Sequence, residues 1–303
     1  MKRAIVTGAN GFIGNAVCQI LLAHNISVIA IVRDKQRMRR SEDNNLFVVE
    51  AELNEYLNLA DKLPRGVDVF YHFAWDGAYG AVLGNYKKQI ENIRYTCDAI
   101  NLAKRIGCAK FIMAGTINEL ELFQFYDADK NIPRRACIYG IAKLAGDFMG
   151  KTLAADWGMN FNVAVIGSCF GPGDNSERIH NTVISKLMKG ESPVLIRGDT
   201  LHDWVYIDDV ARMFFALGTY SVNMKNYYLG HRNLRRLDEI VADVRDEINP
   251  KIKLVFGEIQ SSFYIDYSLV DLEALYQDTG CVATADFKES IRITAEWLAK
   301  KRG

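Results

Sequence analysis

Residues 7–14 read TGANGFIG, and the reading of these eight residues decides the fold. Before them stands a short apolar run, Arg3–Thr7. After them, FIGNAVCQILLAHN places Phe12, Ile13, Ala16, Val17, Ile20 and Leu21 at a 3.6-residue period, the mark of an amphipathic helix on a sheet. A strand, a glycine turn and a helix in this order suit a dinucleotide's pyrophosphate: glycines allow a tight turn and close approach, and the helix N-terminus offers unpaired N–H groups. Gly8, Asn10, Gly11, Phe12, Ile13 and Gly14 are therefore candidate cofactor-binding residues. The first interval is one residue longer than in GxGxxG, so a plain strand-to-helix turn is the competing reading.

The same rhythm continues outward. Strands are expected near Arg3–Thr7, Ser27–Val32, Leu46–Glu50, Asp68–His72, Lys110–Met113 and Asn160–Ile166, with long helices over Gly84–Ile106 and Cys137–Trp157. Alternation of this kind predicts an α/β fold, a Rossmann-type doubly wound parallel sheet. After residue 166 the rhythm loosens. SCFGPGDNSERIHN reads as a loop or lid, and Thr182–Lys189 (helix), Val194–Arg197 (strand), Tyr227–Leu229, Leu237–Ile248, Lys253–Phe256 and a terminal helix Ala285–Lys301 form a smaller α/β region. The expected division is 1–166 plus about 205–228 for the dinucleotide-binding domain. About 167–204 and 229–303 make an interleaved substrate-binding region, with the cleft between the two.

Composition bounds the function. The chain has 303 residues, 49% of them hydrophobic, enough for a sizeable core. Its 37 Lys and Arg balance 37 Asp and Glu, so no global field draws it to nucleic acid or an anionic membrane. Apolar stretches are strand-sized and the N-terminus enters a strand at once, which points to a soluble, cytoplasmic protein. Six cysteines without a CxxC pair give no metal site, and most read as small buried hydrophobes.

About 20 positions beyond the glycines, a dinucleotide fold places the residue that reads the adenosine ribose. Here that residue is Arg33, followed by Lys35 and Arg37 in RDKQRMRR. A guanidinium forks onto a 2′-phosphate, which favours NADP; Asp34 next to it keeps NAD open, and a solvated basic loop is the bland alternative. In CIYGIAKLAGDF, Tyr139 and Lys143 stand at i and i+4 and share a helix face. A nearby ammonium is expected to lower the phenol's pKa and make a proton shuttle. Thr116, at the end of the strand beginning at Lys110, is placed to bond the same substrate oxygen. His72 reads as strand-end packing. Trp75 and Tyr79, beyond the fourth strand, are the aromatic residues expected in the cleft, whereas Phe73 reads as core.

With these residues in view, the chain resembles an extended short-chain dehydrogenase/reductase of the NAD(P)-dependent epimerase/dehydratase family over nearly its whole length. TGANGFIG resembles the family's TGxxGxxG, HFAW at 72–75 its H-[LF]-A segment, and Asn92 sits where a helix asparagine is expected. FGPGD at 170–174 and HDWVYIDDV at 202–210 resemble its Y-G-P and R-D-[FW]-V-x-[VI]-x-D segments. The resemblance implies catalytic roles for Thr116, Tyr139 and Lys143, and cofactor contacts from Phe73, Ala74 and Asn92. It implies hydride transfer on a hexose attached to a nucleoside diphosphate, commonly at C4. A homodimer through the two long helices is implied as well.

Departures from the family pattern narrow the reaction. Members that dehydrate the sugar carry Asp–Glu directly after the catalytic Thr; here Ile117–Asn118 follow and Glu119 lies one place farther. A 4,6-dehydratase is thereby disfavoured, leaving a 4-ketoreductase, favoured with NADPH, or a 4-epimerase with retained NAD. A non-catalytic NADP-binding sensor or scaffold is the reading from another class, against which stands the retained Thr–Tyr–Lys set. His202 replaces a phosphate-clamping arginine, and Val165 and Ser168 stand where R-x-x-N is common. Asn118, Ser168, Arg178, Arg197 and His202 complete the candidate substrate contacts, Arg232 being a further substitute clamp.

Overall fold

The computed structural model describes residues 1–38, 43–126, 132–259 and 265–302. Seven strands form one parallel sheet: β1 (Arg3–Thr7), β2 (Ser27–Val32), β3 (Leu46–Glu50), β4 (Val69–His72), β5 (Lys110–Thr116), β6 (Asn160–Ile166) and β10 (Asn226–Leu229). Their order is β10-β6-β5-β4-β1-β2-β3. The chain winds outward from β1 in both directions, so the strand order reverses between β1 and β4. A ligand crevice belongs at the carboxyl ends there.

Each face of the sheet has its own core, as helices on both sides require. On one face α1 (Phe12–Ala23) and α5 (Ile207–Tyr220) bury Val17, Cys18, Leu21, Val210 and Phe214. On the other, α2 (Tyr86–Arg105) and α3 (Cys137–Asp156) cover Phe70, Phe111 and Phe161, which stack from β4 to β6 with centroids 5.1 and 5.8 Å apart. Gly150 of α3 permits that approach: a Cβ there would lie 2.7 Å from the Phe161 ring.

The smaller region holds β7 (Ser168–Phe170) parallel to β9 (Trp204–Tyr206), and β8 (Leu201–His202) antiparallel to β11 (Arg235–Arg236). Helices α4 (Ile179–Met188), α6 (Leu237–Ile248), α7 (Ala274–Thr279) and α8 (Phe287–Arg302) complete it. Three expectations are corrected. β5 runs three residues past Met113, because β6 continues to pair with it up to Thr116↔Ile166 after β4 has ended. Val194–Arg197 is not a strand; only a single bridge, Val194↔Val255, joins it to the stretch 253–256. The supposed loop after residue 166 begins instead with β7. Of the basic run RDKQRMRR, positions 39 and 40 lie outside the described residues. Among those residues no helix is long and apolar enough to cross a membrane.

Candidate active site

The reversal point opens into a cleft of about 710 Å³. Its first wall is the opening turn. Gly8 has φ +65°, and a Cβ there would sit 3.0 Å from the Ala74 N atom; a Cβ on Gly14 would fall 2.3 Å from the Gly8 carbonyl oxygen. Only glycine lets α1 start this close to β1. Gly11 is the N-cap and no side chain caps the helix, so its first N–H groups face the cleft beside Asn10, Phe12 and Ile13. This bare, positive helix end fits a dinucleotide's pyrophosphate.

Thr7 locks the turn to β4. Its Oγ1 accepts N–H bonds from Phe73 and Ala74, both 3.2 Å, and lies 2.9 Å from His72 Nδ1. The hydroxyl proton therefore goes to Nδ1, leaving a neutral ring protonated at Nε2. Burial agrees, pushing the His72 pKa down to about 3, with the Lys143 charge as a smaller cause. His72 is thus part of the scaffold. Thr7 went unnoticed in the sequence, where its place as the last strand residue before the glycines was the available signal.

At the adenosine end stand Arg33, Asp34, Arg37 and Glu52. Arg33 and Arg37 are exposed, and neither has an ion-pair partner among the described residues. Asp34 is engaged: it caps the turn Lys35–Arg37 and its Oδ1 accepts from Gln36 N at 2.9 Å.

The far wall carries Thr116, Tyr139, Lys143, Trp75, Tyr79 and Arg178. Lys143 Nζ donates to Ala114 O at 2.8 Å and lies 3.8 Å from the Trp75 ring centroid. Trp75 meets the Tyr139 ring edge-on at 6.0 Å and donates from Nε1 to Gln89 Oε1 at 2.8 Å. The expectation that Lys143 lowers the Tyr139 pKa is overturned. Burial instead pushes Tyr139 up to about 12; the Arg178 guanidinium and a hydrogen bond with Thr116 oppose it, and Glu119 adds to it. The ammonium is itself driven toward the neutral amine by burial and is turned to Ala114 and Trp75. Tyr139 holds its proton at neutral pH.

Other candidates lie off the cleft lining. Asn92 is 1% exposed and spends its amide on the Asp76 backbone, accepting from N at 2.9 Å and donating to O at 2.8 Å. Ala74 packs behind Gly8, while Asn118 N donates to Thr116 Oγ1 at 3.3 Å. Ser168 is tied into β7, its N–H donating to Asp203 O. Arg197 is exposed and paired with Asp199; His202 lines a separate pocket of about 80 Å³ with Asp203, His231 and Arg235, and Arg232 pairs with Glu273. Phe73, read as core, does line the cleft, while also stacking on Tyr71 and Phe214.

The NAD dependent epimerase/dehydratase family model matches residues 4–230. A dTDP-glucose 4,6-dehydratase of Escherichia coli is 22% identical over 97% of this chain and 92% of its own length. A putative UDP-glucose 4-epimerase of Methanocaldococcus jannaschii is 23% identical over 97% of each chain. Among solved structures, the UDP-glucose 4-epimerase of Thermotoga maritima, with UDP-glucose, superposes with TM-score 0.76 at 17% identity, covering 99% of this chain and 100% of its own. The UDP-glucuronic acid 4-epimerase of Bacillus cereus, with UDP-glucuronic acid and NAD, gives 0.75 at 17%, covering 99% of each. Both show the fold.

Proposed function

The chain belongs to the NAD dependent epimerase/dehydratase family, and from that premise we propose that it is an NADPH-dependent 4-ketoreductase of a nucleotide-activated hexose. The observation that carries this is the shared wall of Thr116, Tyr139 and Lys143 opposite the glycine turn. A reduced nicotinamide bound in the cleft supplies the hydride that converts a carbonyl carbon into an alcohol carbon. Tyr139, protonated, gives its phenolic proton to the substrate oxygen. Thr116 donates a hydrogen bond to that oxygen, and Arg178 offsets the charge of the phenolate left behind. Lys143 and Asn10 to Gly14 hold the cofactor. Arg33 and Arg37 receive a 2′-phosphate, since Asp34 is committed to its turn.

Relatives include 4,6-dehydratases, so membership alone leaves water elimination within range. What weighs against it is local: Glu119 is 3% exposed, bonded to Thr116 N and outside the cleft lining. A 4-epimerase with retained NAD is the second reading, favoured by Glu52, whose carboxylate suits ribose hydroxyls at the adenosine end. Trp75, Tyr79 and Arg178 are the proposed substrate contacts. Exposed Tyr86 and Ile90 on α2 and Ile141, Phe148 and Met149 on α3 suit a homodimer through these helices, and six free cysteines suit a reducing cytoplasm.

The test is purification followed by mass analysis of retained nucleotide, then turnover of NADPH with UDP-4-keto-6-deoxyglucose. An empty site that takes NADPH and reduces the sugar, with loss of turnover in Tyr139→Phe, supports the proposal. Tightly retained NAD with interconversion of UDP-hexose epimers overturns it in favour of the epimerase.

A further inference from the structure

Behind the catalytic wall lies a carboxyl that the mechanism above does not use. Glu119 is 3% exposed and Lys143 4%. Glu119 Oε1 accepts from Thr116 N at 2.8 Å, and Lys143 Nζ donates to Ala114 O at 2.8 Å. Backbone groups two residues apart in an extended strand point to the same edge, so both side chains dock side by side on β5. They dock past the end of β4, which stops opposite Met113. Gly115 between them leaves the room: its Cβ would lie 3.1 Å from Glu119 Oε1. Two ionisable groups buried in such a place are stable either as neutral groups or as opposite charges that answer each other.

We propose that Glu119 is the buried counter-ion of Lys143, its carboxylate setting the pH range over which Lys143 is an ammonium. Each side chain keeps its own backbone partner, so the two act on each other through their charges across the end of β5. Burial drives both groups toward neutrality, and each pulls the other back toward its charged form. The charged neighbours of the pair are Asp147 and Lys151, one and two steps of four along α3; the neutral His72 ring on β4 and Tyr139 on α3 also face it, and the Trp75 ring covers Nζ. Asp147 Oδ1 lies 3.4 Å from the half-buried Lys151 Nζ. Glu119 is thus a positioning residue, acting through Lys143 and Thr116. Its consequence for turnover rests on the reductase reading; the pairing itself does not.

The test is therefore made on the cofactor-free protein. Lysine labelled with 13C at the ε carbon is titrated by NMR, the Lys143 signal being assigned by its loss in Lys143→Met. Glu119→Gln keeps an oxygen for Thr116 N and removes only the charge. The proposal expects the proton affinity of Lys143 to fall by about tenfold or more in Glu119→Gln, one pH unit in midpoint. An unchanged midpoint in folded Glu119→Gln overturns it. Should that variant not fold, isotope-edited infrared of 13C-glutamate in Lys143→Met decides. A protonated-carboxyl band at neutral pH that is stronger in Lys143→Met than in the unaltered protein supports the pairing, and equal bands overturn it. If no ketosugar is ever reduced, these titrations still stand.

Discussion

Replacing Arg33 with alanine isolates the cofactor assignment. The side chain is exposed at the cleft rim and has no ion-pair partner among the described residues, so its removal orphans no carboxylate and leaves the core untouched. On the proposed NADPH reading, what is lost is one charge-assisted contact to a 2′-phosphate, worth about 1.5–3 kcal/mol. Solvent screening at the rim and the neighbouring Arg37 place the loss in the lower half, about 1.5–2 kcal/mol. At 1.4 kcal/mol per decade this is roughly a tenfold to thirtyfold weaker Kd for NADPH. NADH, which lacks the phosphate, should change by less than about twofold. Isothermal titration calorimetry with both nucleotides at two ionic strengths reads this directly, the NADPH loss shrinking at high salt. Equal losses for the two nucleotides would refute the assignment of Arg33 to the phosphate.

Three further outcomes follow from the scaffold. Gly14→Ala drives a Cβ toward the Gly8 carbonyl, so the start of α1 must lift from β1; chemical denaturation should show a loss of about 1–3 kcal/mol, and NADPH binding should weaken with it. Thr7→Val leaves two N–H groups and the His72 ring without their acceptor or donor, a loss of about 2–4 kcal/mol in the same assay. Burial holds His72, and the fully buried His180 of α4, below the ordinary imidazole value of 6.5. Below about pH 6.5 the unfolded chain binds protons that the folded chain refuses, so each histidine removes up to about 1.4 kcal/mol of stability per pH unit as pH falls. His180→Gln should flatten that slope by one histidine's share, as seen in denaturation midpoints from about pH 6.5 to 4.5; an unchanged slope would show that His180 titrates normally.

Much of the dinucleotide half was legible because one signal repeats: a β-branched run, a turn and a helix period. β1, β2, β3 and β6 have the residues their patterns predict. Where prediction slipped, a partner elsewhere decided. Asp68 reads as strand, but its carboxylate accepts from the N–H groups of Lys2 and Arg3, so β4 begins at Val69. Lys110–Met113 reads as the whole strand, but β6 carries it on to Thr116. In the site, motif and spacing located Thr116, Tyr139 and Lys143, yet the electrostatics were hidden. That burial outweighs the Arg178 guanidinium at Tyr139, and that Trp75 covers Lys143, depends on how α3 and the β4 exit pack, which periodicity along one element does not contain. His202 and Arg197 were misplaced for a like reason: β8 pairs with β11 and carries His202 into a second pocket, and Asp199 holds Arg197 at the surface.

The proposed reaction is the reduction of a sugar ketone by NADPH in this cleft, with Tyr139 as proton donor. It is tested most directly by incubating the protein with NADPH deuterated at the nicotinamide C4 and UDP-4-keto-6-deoxyglucose, then reading the product by mass and NMR. The account predicts one deuterium at sugar C4, a single C4 stereoisomer, and no incorporation with Tyr139→Phe. Full incorporation in Tyr139→Phe, or a substrate epimerised with no deuterium gained from the added NADPH, would contradict it.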